Sequence, residues 1–173
     1  MERKTIEILT ERFRLLELSE KHVTESYLRW FEDNQTNRFI SYARKSQNLE
    51  DLKDYVMNRV NQPDIVFLGI FDKNSNHHIG NIKYEPVNSQ EGYAIMGILI
   101  GERDYRGKGV AGEVLTASAA WLKSYRSINQ ILLGVSRSNT GAIRTYEKTG
   151  FVIEESIFLK LQSPDSLLMV WHI

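Results

Sequence analysis

The sequence predicts a mixed α/β fold, a central mixed sheet of six to seven strands flanked by about four helices. Two observations carry that prediction. Short runs with the period-two alternation of strands, or apolar throughout, are interleaved with segments whose apolar residues recur at helical spacing. The resulting order, βααβββαβαββ, fits neither a doubly wound sheet nor a sandwich. At 173 residues the chain reads as one domain over 1–173, with no repeat, low-complexity stretch or linker to divide it.

Phe13 to Leu18 alternates as a strand, and Ser19 is placed to cap a helix from Glu20 to about Asp33 with Val23, Tyr27, Trp30 and Phe31 near one face. A second helix spans about Leu49 to Val60. Ile65 to Asp72 and His78 to Pro86 read as an antiparallel hairpin joined by the polar turn Lys73-Asn74-Ser75-Asn76. Tyr93 to Gly101 is a more apolar strand. After it come a helix from Gly109 to Tyr125, a strand from Gln130 to Val135, and a helix from Thr140 to Lys148 ended by Gly150. Phe151 to Leu161 and Leu167 to Trp171 close the chain as two strands around a turn at Gln162 to Ser166. Each proline, Pro63, Pro86 and Pro164, stands near an element boundary.

The stretch Tyr105-Arg-Gly-Lys-Gly-Val-Ala-Gly112 packs three glycines between the apolar strand and a helix. Glycines let the backbone turn sharply, and the first turn of the helix presents unpaired N–H groups and a positive dipole end, so the loop is a candidate anion cradle. Gly107, Gly109 and Gly112 satisfy G-x-G-x-x-G. A dinucleotide fold also requires an acidic residue about twenty positions on, and none occurs between Glu113 and Glu147. A kinase would need a strand lysine, a catalytic loop and a metal-binding D-F-G downstream, which are absent. A P-loop fails on spacing, since Gly101 lies six residues before Gly107 and Lys108 is followed by Gly109.

Arg106-x-x-Gly109-x-Ala111 is a better fit, because it resembles the pyrophosphate-binding signature [Q/R]-x-x-G-x-[G/A] of the GNAT superfamily of acetyl-CoA-dependent N-acetyltransferases. Thirty residues later, Asn139 to Phe151 resembles the family's N-x-x-A-x-x-x-Y-x-x-x-G-F block. The opening Phe13-Arg-Leu-Leu-Glu-Leu and Tyr27-Leu-Arg-Trp30 are similar to the RimJ/RimL-like branch, and His78-Ile-Gly80-Asn81-Ile-Lys83 to members thought to acetylate amino sugars. The resemblance implies a splayed mixed sheet and a binding site for acetyl-CoA. Backbone N–H groups of Gly107, Lys108, Gly109, Val110, Ala111 and Gly112 would hold the pyrophosphate, with the side chain of Arg106 or Lys108 adding charge. Ile98, Leu99, Ile100 and Gly101 would take the pantetheine arm as an added strand, and an N–H near Ile98 would face the thioester oxygen. Asn139 would bind the same co-substrate, and Tyr146 would protonate the departing thiolate. The acceptor would be a primary amine on an amino sugar, a small molecule or a protein N-terminus; the rival outside catalysis is a CoA-binding module.

One expected feature is missing. Many relatives carry a Glu two positions before the strand glycine as the base, but this chain has Ile95. That leaves Glu91, Tyr93, Glu85 and Tyr84 as nearby polar candidates, and Trp30, Phe31, Phe39 and Tyr42 as candidate acceptor-pocket walls. His77 and His78 are adjacent, so on a strand they point apart, and no other ligand cluster accompanies them; a solvated turn is expected there and no metal. Lys plus Arg and Asp plus Glu balance at 22 each, which supplies no field to recruit nucleic acid. The absence of cysteine excludes thiol catalysis and fits a reducing compartment. No apolar run is long enough for a membrane span, so a cytoplasmic enzyme is expected, with a homodimer as one allowed assembly.

Overall fold

In a computed structural model, residues 5–34 and 48–173 are described. They form an eight-stranded sheet in the order β1-β2-β3-β4-β5-β6-β8-β7, one strand more than the upper expectation. Its strands are β1 (Glu7–Leu9), β2 (Phe13–Glu17), β3 (Val66–Asp72), β4 (His78–Asn88), β5 (Tyr93–Ile100), β6 (Gln130–Ser136), β7 (Val152–Ile153) and β8 (Ser166–His172). Four α-helices are described: α1 (Glu25–Arg29), α2 (Leu49–Val60), α3 (Val110–Arg126) and α4 (Thr140–Thr149). All neighbouring strands run antiparallel except β5 and β6, which are parallel and connected through α3.

The core divides across the sheet. On one side α3 buries Val114, Leu115, Ala119 and Leu122 against Ile82, Tyr84, Ile131 and Leu133, and Phe151 and Met169 complete that layer. On the other, Leu52, Val56 and Val60 of α2 pack with Tyr27, Trp30 and Phe31 over Leu18 and Phe67. A helix with one apolar stripe must bury it, and these two faces of the sheet accept the two stripes.

Three sequence expectations need correction. The helix expected over 20–33 is broken: Glu20–His22 is one tight turn, Val23 is extended, and Thr24 caps the short α1 by accepting the N–H of Tyr27. His22 Nδ1 accepts the N–H of Ser19 at 3.0 Å, and such local side-chain bonds compete with a continuous helix. The strand expected over 151–161 pairs only at Val152 and Ile153. The extra strand, β1, is three residues long and pairs Ile8 with Leu15 at the sheet edge, too short for alternation to reveal. Further along, β4 runs past Pro86 to Asn88, because its register against β5 shifts between Tyr84 and Val87 and the proline, which lacks an N–H, falls in that irregularity.

Gly101 ends β5 beneath the indole of Trp30. A Cβ on Gly101 would lie 2.0 Å from Trp30 Cδ2, and Trp30 is fixed by donating Nε1–H to Glu102 Oε1 at 2.9 Å. Gly101→Ala should therefore displace Trp30 and destabilise the protein by roughly 1–3 kcal/mol. A urea midpoint equal to that of the unsubstituted protein would contradict this packing.

Candidate active site

The site begins where β5 and β6 part. Their parallel pairing covers only Tyr93 to Ile95 against Gln130 to Leu132, after which β6 continues with β8 and β5 with β4. Backbone direction on β5 follows from one bond. Gly101 N–H donates to Ile79 O at 2.9 Å, and β4 and β5 keep the same register from Gly80↔Ile100 to Tyr84↔Met96. Antiparallel pairs alternate, so Leu99 and Gly97 exchange bonds with Asn81 and Lys83, while the main-chain groups of Ile98 and Ile100 face the gap left by β6. Such an edge can add an extended ligand as a strand.

Arg106 closes the end of this edge. Its guanidinium donates to Ile100 O at 2.9 Å, to Gly101 O at 2.8 Å and to Asp33 Oδ2 at 2.6 Å; Arg103 reaches Asp33 Oδ1 at 3.0 Å. Its side chain thus ties the loop to β5 and to the segment after α1, whereas the sequence offered it as a charge for pyrophosphate. Lys108, the other candidate, is exposed. Gly107 and Gly109 have φ of 69° and 75°, the left-handed region that side chains rarely adopt. Gly109 is the N-cap of α3 and has no side chain to satisfy the first turn. The first bond back into the helix is Glu113 N–H to Gly109 O, so the N–H groups of Val110, Ala111 and Gly112 have no acceptor within it. An anion at this point meets those donors and the positive end of a 17-residue helix.

Glu113, in that first turn, would oppose an anion but is held away. Its carboxylate accepts from Thr10 Oγ1 at 2.6 Å and from Arg12 N and Nε, both at 2.7 Å. Burial pushes its carboxyl up, but these hydrogen bonds outweigh it and keep the group below the usual carboxylate range.

Asn139 caps α4 through Oδ1, which accepts Ala142 N–H at 3.3 Å, and two turns on, the helix places Tyr146 beside Phe151, ring centroids 5.6 Å apart. Burial pushes the Tyr146 phenol up to about 12, so it stays protonated at neutral pH. Around these parts lies a cleft of about 1160 Å³, bounded by Ile98 to Ile100, the loop from Tyr105 to Gly112, and the first turns of α4. On the opposite side of the β5–β6 gap is a cavity of about 300 Å³ walled by Tyr27, Phe31, Tyr55, Phe67 and Met96. Ile98, Leu99, Asn139 and Tyr146 line both. The cleft and the cavity thus share a wall at the gap between β5 and β6.

Cleft size, helix N-terminus and open strand edge all suit a ligand with a pyrophosphate and an extended amide-bearing arm. Arg106, Gly107, Gly109, Val110, Ala111, Gly112, Asn139 and Tyr146 are brought together as expected from sequence, and Gly101 lies beside the cleft under Trp30. The base candidates are not. Tyr84 is buried with its hydroxyl 2.7 Å from Ser118 Oγ; Glu85 pairs with Lys83 and Arg59; Glu91 accepts from Asn88; Tyr93 stacks on Phe158. None of the four lines the cavity. Of the suggested acceptor walls, Phe31 lines it, Trp30 instead covers Gly101, and Phe39 and Tyr42 lie outside the described residues.

His78 also departs from the solvated turn expected for it. A bulge at Ile79 turns its ring onto the face of Asn81, where it stacks on Phe71 at 4.6 Å and meets Trp30 edge-on at 5.0 Å. Burial chiefly, with nearby His22, pushes its pKa down to about 4, so the ring is neutral near pH 7. His77 is half exposed, with Nε2 3.5 Å from Glu102 Oε1, the oxygen to which Trp30 also donates. Among the described residues no group of three or more His, Asp or Glu could hold a metal, and no helix is long and apolar enough to cross a membrane.

Residues 12–152 match the acetyltransferase (GNAT) domain family. The chain belongs to the GNAT family. It is an acetyl-CoA-dependent acetyltransferase by that membership, as its two signature blocks implied. Similar solved structures include a GNAT-family acetyltransferase from Bacillus anthracis, at 17% identity and TM-score 0.79, covering 96% of this chain and 98% of that one. The microcin self-immunity acetyltransferase MccE in complex with acetyl-CoA and AMP aligns at 16% identity and TM-score 0.80, covering 94% and 93%. The ribosomal-protein α-N-acetyltransferase RimL in complex with coenzyme A aligns at 13% identity and TM-score 0.82, covering 98% of each chain. At these identities the likeness is one of fold, and it confirms the mixed, splayed sheet. Asn81 and Lys83, which also line the cavity, stood in the sequence only within the His78 to Lys83 stretch similar to members thought to acetylate amino sugars, with no role given to either.

Replacing Gly109 with Val forces a β-branched residue to positive φ at the mouth of the anion cradle. CoA affinity measured by calorimetry should fall at least roughly tenfold while the far-ultraviolet spectrum is retained. Unchanged affinity would remove the loop from the binding site.

Proposed function

We propose that this GNAT enzyme transfers acetyl from acetyl-CoA directly to a primary amine, with the co-substrate in the large cleft and the amine in the smaller cavity. The observation that carries this reading is that both spaces share Ile98, Leu99, Asn139 and Tyr146, so a thioester and an amine can meet only at the β5–β6 gap. In this reading the N–H groups of Val110 to Gly112 hold the pyrophosphate and the open edge at Ile98 and Ile100 holds the pantetheine amides. The amine attacks the thioester carbon as a neutral nucleophile; the C–N bond forms, the C–S bond breaks, the thiolate takes the phenolic proton of Tyr146, and the proton shed by the nitrogen as it becomes an amide passes through solvent to restore the phenol.

The N–H of Ile98 is the donor for the carbonyl oxygen as charge develops there, a contribution of about 3 kcal/mol for one preorganised donor. Burial pushes the phenol up to about 12, so it is still protonated when the thiolate forms beside it, and the proton released at the new amide nitrogen draws the transfer to completion. No Glu stands at position 95, and among the described residues no carboxylate lines the cavity. The site therefore selects the neutral fraction of the amine, and turnover rises with pH as that fraction grows.

Tyr146→Phe keeps the ring packed on Phe151 and removes only the proton. Its kcat should fall roughly 100-fold in a thiol-release assay, with CoA affinity unchanged. Full activity in this variant would exclude Tyr146 as the acid.

A further inference from the structure

The amine cavity has chemistry of its own. Among the described residues, the one buried side-chain nitrogen or oxygen found without a hydrogen-bond partner is Asn81 Nδ2, and Asn81, only 4% exposed, lines this cavity. Its other amide atom is taken: His78 Nε2 lies 2.8 Å from Asn81 Oδ1. In the tautomer of the neutral ring that carries its proton on Nε2, His78 donates to Oδ1, and the amide's two N–H hydrogens are left over. Two residues along the strand, Lys83 Nζ donates to Tyr55 Oη at 2.8 Å and pairs with Glu85 at 2.5 Å, bonds that use two of its three hydrogens. One edge of the cavity is thus a row of donors on β4.

The rest of the described wall is largely apolar, with Tyr27, Phe31, Phe67 and Met96 facing this edge, and with Ser136, Asn139 and Tyr146 on the side of β6 and α4. No Asp or Glu lines it, and residues 35–47, outside the described set, contain none either. A polyamine needs carboxylates for its other cationic centres, and this cavity offers a lysine instead. A hydroxylated ring matches both walls, its C–H face lying on aromatic rings and its oxygens on the donors.

Given the transferase reading above, we propose that Asn81 determines acceptor specificity by donating from Nδ2 to an oxygen of the substrate, a primary amine carried on a hydroxylated ring such as an amino sugar, with Lys83 as the second donor. His78 is a positioning residue that fixes the amide. An acceptor lacking the oxygen leaves the buried amide unpaired and is rejected.

The test compares amino sugars bearing the amine at different ring positions with cyclohexylamine, spermidine and an N-terminal alanine peptide, read as kcat/KM for thiol release. At least one amino sugar should exceed cyclohexylamine by roughly 10- to 100-fold. Asn81→Leu should bring that ratio close to one, mainly through a higher KM for the sugar, with CoA affinity measured alongside to show that the variant is folded. Asn81→Asp, of the same shape, should lose the sugar preference too, which decides the matter should Asn81→Leu not fold. Spermidine or the peptide as best acceptor, or a sugar preference that survives in both variants, overturns the proposal. Failure of the transferase reading looks different: no thiol release with any amine. In that case binding of the same amines to the CoA complex, by calorimetry, decides the role of Asn81 with the same expected ratio and the same overturning result.

Discussion

Three residue pairs of parallel ladder, Tyr93 to Ile95 against Gln130 to Leu132, hold the two halves of this sheet together, and everything functional depends on their number being so small. Were β5 and β6 paired to their ends, the main-chain groups of Ile98 and Ile100 would be consumed by the ladder and the gap lined by Tyr146 would close. Instead each strand finds another partner, β4 for one and β8 for the other, so the sheet survives the split. Buried backbone polar groups are almost always paired. An edge left facing a cleft is therefore a standing demand for a ligand with amides of its own.

Keeping the gap open requires a fixed exit for β5, and Arg106 supplies it. Three acceptors from two segments, Ile100 O, Gly101 O and the carboxylate of Asp33, converge on one guanidinium. The planar fork of arginine matches such a set, and a lysine could not span it. The consequence reaches the anion site, because the chain leaving Arg106 enters the left-handed turns at Gly107 and Gly109 that aim the start of α3. The lone acid in that first turn, Glu113, is drawn back to the β1–β2 connection by Thr10 and Arg12. Two ion pairs, one on each side of the loop, thus engage an arginine and a glutamate and leave the backbone N–H groups of the first turn of α3 without an acceptor in the helix.

Most of this was legible in the chain wherever local chemistry dictates the answer. The turn at Gly107 and Gly109 could be read because glycine alone readily adopts those dihedrals, while Asn139 and Tyr146 are legible through the resemblance of Asn139 to Phe151 to the family's second block. What could not be read depends on long-range neighbours. Arg106 looked like a phosphate ligand since nothing local reveals Asp33, 73 residues away, as its partner. The break in the helix over 20–33 lay in competing side-chain caps at Ser19, His22 and Thr24, whose strength relative to apolar periodicity no pattern reports. His78 was misplaced for a similar reason. A single-residue bulge at Ile79 moved it from one face of the strand to the other, and the period-two rule has no means to anticipate that.

That bulge has a further effect on the energetics of the cavity. An unpaired buried amide costs roughly 1–3 kcal/mol, a large share of the stability of any domain. A leucine at position 81 would avoid the cost and pack on the same aromatic wall, so folding alone favours replacement. Yet the neighbouring structure fixes Asn81 instead of relieving it: the bulge, the Phe71–His78 stack and the His78–Asn81 bond all hold the amide in one orientation. Local instability held in place by its surroundings is how a binding site differs from a defect. The same logic covers the strand edge at Ile98 and the uncapped start of α3: with Asn81 these leave hydrogen-bonding groups free beside the cleft and the cavity, where the proposed reading puts the two substrates.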